Sequence, residues 1–373
     1  MKSIKQMLIL SLYIISIMIV NSFTNTVYSQ TKLKSNKSEI IGQTLAEIVN
    51  DGNAPGMVAA IISSKGVIAI GSAGVRKFGS DIVFTTNDIV HLGSCTKAMT
   101  STMIATLVAE GKLDWESKLI DVIPELKESI HPDYYQITLW QLLTHSAGVP
   151  DLWTHSKRET KERRLQILKE KLNRAPSSKI GEYNYSNLGY VAAACMAEKV
   201  TGLSWEVLMK KRLFGPLGMN SAGFGAPGTS GQIDQPWGHQ KSGSSWLPLQ
   251  SDCAEALGPA GMVHCTIYDW AKFLKLYLTT ENTIVKQEYL NKLIEPEGFY
   301  AGGWGVAEHS WAEGIVLSHN GSNAIWYTTV MVAPKLNRAY VVSTNSRDFG
   351  ITEDLCVEII TKLVRLELQY NKD

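Results

Sequence analysis

Strand-like runs near the two ends of the chain, separated by a long stretch patterned for helices, predict an α+β fold. Met57–Ser63 and Val67–Gly74 look like a hairpin near the N-terminus. Ile315-Val316-Leu317, Ala324 to Val332 and Ala339 to Thr344 read as further strands, and a closing helix is expected from Thr352. The residues between carry helix signals. Met99, Met103, Ile104, Leu107 and Val108 recur at helical spacing, and Gly111 after Glu110 supplies the left-handed residue that commonly ends a helix. Thr138-x-x-Gln141 has the form of a capping box. Ser204 precedes Trp205-Glu206-Val207-Leu208, and Gly215-Pro216 is expected to stop that helix. The polar run from Gly223 to Ser245 reads as a long loop, and Lys157 to Lys171 reads as a solvated helix face.

Composition narrows the function classes. The chain has 373 residues with 36 basic and 35 acidic side chains, a balance that argues against a nucleic-acid or anionic-membrane partner. Lys2 and Lys5 precede an uncharged apolar run from Met7 to Val20, and Val27-Tyr28-Ser29 resembles a small-residue cleavage site before Gln30. Residues 1–29 therefore read as a secretory signal peptide, which puts the mature chain in a periplasm or outside the cell with no membrane partner. The five cysteines form no C-x-x-C, so they outline neither a zinc site nor a disulfide framework, although Cys253 and Cys265 could pair. Cys95 reads as a small buried residue. The eight histidines have no metal spacing, His91 and His145 read as packing residues, and no metal or cofactor is expected.

Chemistry enters with His91-Leu92-Gly93-Ser94-Cys95-Thr96-Lys97. Residues three apart on a helix share a face, so the Lys97 amine can lie one turn above the Ser94 hydroxyl and take its proton. A desolvated lysine is neutral enough for that task. A second stretch, Gly181-Glu182-Tyr183-Asn184-Tyr185-Ser186-Asn187, runs into the apolar Leu188, Val191 and Ala192. Tyr185 and Asn187 stand two apart and can enter one cleft, Tyr185 relaying protons and Asn187 holding a substrate amide; equally, Asn187 caps its helix and Tyr185 packs. A third stretch, Ser318-His319-Asn320-Gly321-Ser322, ends a strand, where the glycine suits close approach of a ligand and His319 can face the cleft. Asn345, at the end of its own strand, either projects toward the same cleft or ends the strand in a turn. Trp237, Trp246, Trp304 and Trp326 suit a pocket lining or the core.

The order of these motifs resembles that of the serine beta-lactamases and D,D-peptidases of the penicillin-recognising group, in the class C beta-lactamase-like branch. Leu142 to Pro150, Pro216-Leu217-Gly218-Met219 and Gly258 to Met262 leading to Asp269 extend the likeness over roughly residues 38 to 370. The resemblance implies an antiparallel sheet flanked by helices, with a helical subdomain inserted and the active site between them. Residues 30–373 would form this domain, with the sheet subdomain at about 38–92 and 300–373 and the mostly helical one at about 93–299. It implies Ser94 as nucleophile, with Lys97 and Tyr185 sharing its proton, Asn187 and His319 orienting substrate, and Asn320 and Gly321 in the third motif on the sheet's edge strand. The Ser322 backbone N–H would complete an oxyanion hole with that of Ser94. Class C beta-lactamases carry a lysine where this chain has His319, and members with histidine look more like D-aminopeptidases, esterases and other amide hydrolases. The expected activity is thus hydrolysis of an amide or ester in a small molecule or peptide through a Ser94 acyl-enzyme. True beta-lactamase action and a slow penicillin-binding or sensing role are the alternatives, and the sequence leaves oligomeric state open.

Overall fold

Strand β1 (Gly56–Ser63) is buried along its whole length, and its alternate residues divide between two cores. Met57, Ala59 and Ile61 face one side, while Val58, Ala60 and Ile62 face the other. Such a strand needs cover on both faces, which explains its continuous apolar run. The computed structural model describes residues 36–281 and 284–370. The signal peptide read at residues 1–29 lies outside them.

A hairpin joins β1 to β2 (Gly66–Gly74), as expected. Strands β3 (Ile89–His91), β4 (Gly223–Phe224) and β7 (Val263–Thr266) make a small three-stranded sheet, and β5 (Gly238–Ser242) pairs with β6 (Ser245–Leu249). Strands β8 (Gly305–His309), β9 (Gly314–Ser322), β10 (Tyr327–Ala333) and β11 (Arg338–Thr344) complete a six-stranded antiparallel sheet in the order β2-β1-β11-β10-β9-β8. The fold is α+β, as the sequence predicts. β9 is not the edge strand, however. β8 covers it from Gly314 to Ser318 and stops, so His319 to Ser322 overrun their outer neighbour.

One face of the sheet packs against two terminal helices, residues 36–50 and Ile351–Tyr370, through Ile41, Leu45, Ile359 and Leu363. Lys37 and Arg338 both pair with Glu367 of the closing helix, tying the two ends of the chain to β11. The opposite face meets the helical region. Its centre is the helix Thr96–Ala109, buried on every side from Thr96 to Val108. An all-round buried helix has no solvent stripe, so its polar residues need internal partners. Thr100 donates to the Pro259 carbonyl and Thr102 to the Ala98 carbonyl. The helix ends at Ala109, with Glu110 as its C-cap and the left-handed Gly111 next.

Local signals resolve as capping chemistry predicts in two places and differ in three. The Thr138–Gln141 capping box and the Ser204 N-cap both form. Gly215-Pro216 does not stop its helix. The chain stays helical through a π-helical turn, Lys210–Phe214, and on to Leu217, and the left-handed Gly218 ends it. The stretch read as a loop from Gly223 contains β4 and β5. Lys157 to Lys171 is not uniformly solvated either: Arg164 is buried between Glu198 at 2.8 Å and Glu206 at 2.6 Å.

Candidate active site

Ser94 sits in a single 3-10 turn, Gly93–Cys95, that leads directly into the helix Thr96–Ala109. The turn requires glycine at 93. Its φ is +50°, and a Cβ there would lie 2.5 Å from the Gly321 carbonyl carbon. Gly321 answers from β9, where a Cβ would lie 2.8 Å from the Ser94 nitrogen and inside contact distance of the Leu92 carbonyl oxygen. The glycine of the third motif thus allows close approach of protein backbone, where the sequence suggested a ligand. It seats β9 against the serine turn.

Lys97 lies one turn on, with its side chain fully buried. Its Nζ stands 3.2 Å from Ser94 Oγ, 2.7 Å from Asn187 Oδ1 and 2.8 Å from the Ala260 carbonyl oxygen. A neutral amine has two N–H donors and one lone pair. The carbonyl oxygens of Asn187 and Ala260 can only accept, so they take both hydrogens and leave the lone pair facing the Ser94 hydroxyl. Burial pulls the Lys97 amine down to about 7, against the opposing pull of the Asp151 charge.

Tyr185 closes the third side, its hydroxyl donating to Ser94 Oγ at 2.8 Å. Burial raises the phenol above its usual range, so Tyr185 stays protonated where Lys97 does not. Ser186, not Asn187, caps the helix Asn187–Thr201, accepting from the Gly189 N–H. Asn187 is therefore free for another task. Its backbone N–H and its Nδ2 both donate to Asp151 Oδ1, at 2.7 and 3.0 Å. With Nδ2 held by Asp151 and Oδ1 by Lys97, the Asn187 amide holds the amine. His145, with φ +60°, accepts from the Ser186 N–H and lies against the Tyr185 ring at 4.4 Å between centroids.

His319 is buried on the Ser94 side of β9, and both its nitrogens are engaged. Nδ1 stands 2.7 Å from the Asn320 carbonyl oxygen, which can only accept, so Nδ1 carries the proton. Nε2 must then accept from the Tyr300 hydroxyl at 2.9 Å. Burial, reinforced by the Lys97 charge, pulls the imidazole down to about 3. His319 is thus a neutral ring with both nitrogens hydrogen-bonded within the protein. The Asn320 side chain lies on the other face of the sheet, where its Oδ1 accepts from Thr329, so it does not join the cluster. Ser322 turns its hydroxyl to the Trp326 carbonyl, while its backbone nitrogen lies beside Gly93.

Ser94, Lys97, Tyr185 and Asn187 thus meet through hydrogen bonds, and the backbone of Gly321 and Ser322 borders them. Asn345 is elsewhere: wholly buried, it donates to the Val75 and Arg76 carbonyls. Cys253 and Cys265 are free thiols, not a pair, and Cys95, next to Ser94, is buried. Trp246, Trp304 and Trp326 are core residues. Asp151 and Tyr300 were not singled out from sequence, and Ala260 stood out only as part of the stretch Gly258 to Met262. Asp151 follows Pro150 directly, and Tyr300 lies in a glycine-rich run, where no local pattern marks a tertiary partner. Among the described residues, no group of three or more His, Cys, Asp or Glu is placed to hold a metal ion.

Residues 41–354 match the beta-lactamase family model. The chain is 22% identical over 316 residues to penicillin-binding protein 4 of Amycolatopsis lactamdurans, covering 79% of this chain and 81% of that relative. It spans 64% of the length of other curated relatives that it matches. The fold is similar to that of the octameric penicillin-binding protein homologue from Pyrococcus abyssi, with a TM-score of 0.75, 23% identity and coverage of 89% and 77% of the two chains. It is also similar to a D-stereospecific amidohydrolase from a Streptomyces species, with a TM-score of 0.66, 20% identity and coverage of 86% and 98%. On the family match across most of its length, the chain belongs to the beta-lactamase family and is a serine hydrolase.

Proposed function

We propose that the protein is an exported hydrolase that cleaves an amide or ester bond through a Ser94 acyl-enzyme, in substrates that present no carboxylate to the third motif. The observation that carries this reading is the closed hydrogen-bond set of His319, which leaves a neutral ring where a lysine would offer a fixed charge. The likeness to a D-stereospecific amidohydrolase supports an amide-type substrate. The apolar run from Met7 to Val20 supports export to a periplasm or the medium, and among the described residues no helix is long and apolar enough to cross a membrane.

In the proposed cycle, neutral Lys97 takes the Ser94 proton as Oγ bonds to the carbonyl carbon, and the carbonyl electron pair moves to oxygen. The backbone N–H groups of Ser94 and Ser322 hold that oxyanion. The Lys97 ammonium then returns its proton, directly or through the Tyr185 hydroxyl, to the departing nitrogen or oxygen. Lys97 next takes a proton from water as the water oxygen bonds to the acyl carbon. When that second tetrahedral adduct collapses, the carbon–Oγ bond breaks and the Lys97 ammonium gives its proton to Ser94 Oγ, releasing the acid and restoring the starting state.

Asp151 tunes this base. Its negative charge favours the Lys97 cation and so raises the amine, while its contacts orient Asn187. Asp151→Asn should therefore move the acidic limb of the kcat/KM profile to lower pH, because a cation without its counter-charge gives up its proton more easily. A limb that stays in place or moves to higher pH would refute that role.

The substrate test compares a p-nitrophenyl ester, a D-amino-acid p-nitroanilide and nitrocefin, each with wild type and Ser94→Ala. Ester or anilide turnover should exceed nitrocefin turnover by at least roughly tenfold, the worth of about 1.4 kcal/mol, and should vanish with Ser94. Faster turnover of nitrocefin would make the protein a true beta-lactamase.

A further inference from the structure

A polar chain runs behind the serine turn without touching Ser94 itself. His91 Nδ1 lies 3.1 Å from the Gly93 N–H, an obligate donor, so Nδ1 accepts and the ring proton sits on Nε2. That proton points at Asp252 Oδ2, 2.7 Å away. Asp252 Oδ1 in turn accepts from Asn323 Nδ2 at 3.1 Å and from the Cys253 N–H at 2.7 Å. Asn323 Oδ1 accepts from the backbone of Ile325 and Trp326, which fixes the turn after β9. His91 and Asn323 are at most 1% exposed, and the Asp252 side chain is 6% exposed.

The ends of this chain matter more than its middle. Gly93 immediately precedes Ser94, and Asn323 immediately follows Ser322. We propose that His91 and Asp252 are positioning residues that set the spacing between the Ser94 and Ser322 backbone N–H groups. This rests on the reading that those two groups hold the oxyanion. A buried carboxylate is costly unless every oxygen is satisfied, and packed apolar residues could hold two segments together more cheaply. What a carboxylate adds is three directed bonds of fixed length. Here they run to the donors of residues 91, 253 and 323, and so brace the serine turn against the end of β9. An oxyanion site depends on such spacing, since its donors act only when aimed where charge develops.

The carboxylate is specifically required, because His91 Nε2 and Asn323 Nδ2 are both donors. Asp252→Asn can accept from one and must turn an NH2 toward the other. His91→Asn keeps an acceptor for the Gly93 N–H, as an Asx turn does, but cannot reach Asp252. Both variants should be assayed with the p-nitrophenyl ester, titrated with a phenylboronic acid that forms a tetrahedral adduct on serine, and melted. Each should lose kcat by a factor of roughly 10² to 10³, the usual effect of spoiling one oxyanion donor, with KM within about twofold. Boronate affinity should fall with kcat while ester KM does not. A lowered melting temperature with unchanged kcat and boronate affinity would reduce the chain to a structural brace and overturn the proposal. So would wild-type kcat in His91→Asn, the milder variant, or a fall in kcat that boronate affinity does not follow. Failure of the underlying reading looks different: wild type would not bind the boronate, or Ser94→Ala would keep its turnover.

Discussion

Ser94→Ala, Lys97→Ala and the double variant should lose kcat/KM by nearly the same factor, on the order of 10³ or more, because groups that act as one unit are not additive. The geometry demands this. Ser94 Oγ is a weak nucleophile until its proton leaves, and the Lys97 lone pair 3.2 Å away is aimed at it by two obligate acceptors. Once either partner is gone, removing the other has little left to disable. The pH dependence supplies an independent check. With Lys97 drawn down to about 7, kcat/KM should rise tenfold per pH unit below that value and level off above it, since only the neutral amine serves. Tyr185, pushed upward by burial, should add no limb between pH 5 and 9. The same depression has a cost in stability. A lysine whose folded value lies below its unfolded 10.5 binds fewer protons folded than unfolded across pH 7 to 10.5. Its destabilising contribution is therefore complete below pH 7 and fades as pH rises through that window. Additive losses in the double variant, or a flat profile from pH 5 to 9, would remove Lys97 from the role of base.

The reach of sequence reasoning ended where spacing gave way to tertiary contact. Ser94 and Lys97 were legible because a three-residue offset on a helix is a fixed geometry, and Tyr185 because its loop runs straight into a recognisable helix start. The same local logic found the β1–β2 hairpin and the Thr138 cap. It placed β9 at an edge, because β8 is a short strand hidden in a Gly-rich run and only its pairing with Gly314 to Ser318 reveals it. His319 was located but its partners were not. Nothing in Ser318-His319-Asn320 announces that Tyr300 will occupy one nitrogen and the Asn320 carbonyl the other. Asp151 and Asp252 escaped for the same reason: each acts through residues 36 and 161 positions away in the chain.

Gly321→Ala carries the second large expectation, for it tests the seat between strand and nucleophile. The added methyl would meet the Leu92 carbonyl oxygen and the Ser94 nitrogen, both backbone atoms that no rotamer change can move aside. The serine turn and β9 must then separate, and the Ser94 and Ser322 N–H groups separate with them. A misplacement of about 1 Å costs on the order of 10²-fold in rate, so kcat/KM should fall at least that far, with overpacking costing about 1–3 kcal/mol in stability. Gly42→Ala is the control. A Cβ there meets nothing within 4 Å, and the residue lies inside the helix 36–50, where alanine is favoured over glycine by roughly 1 kcal/mol. That variant should be as active as wild type and slightly more stable. If Gly321→Ala instead kept near-wild-type turnover, β9 would be free to stand off from the serine turn. The Ser322 N–H could then not be a fixed half of the oxyanion site, and its partner would have to be sought on another element.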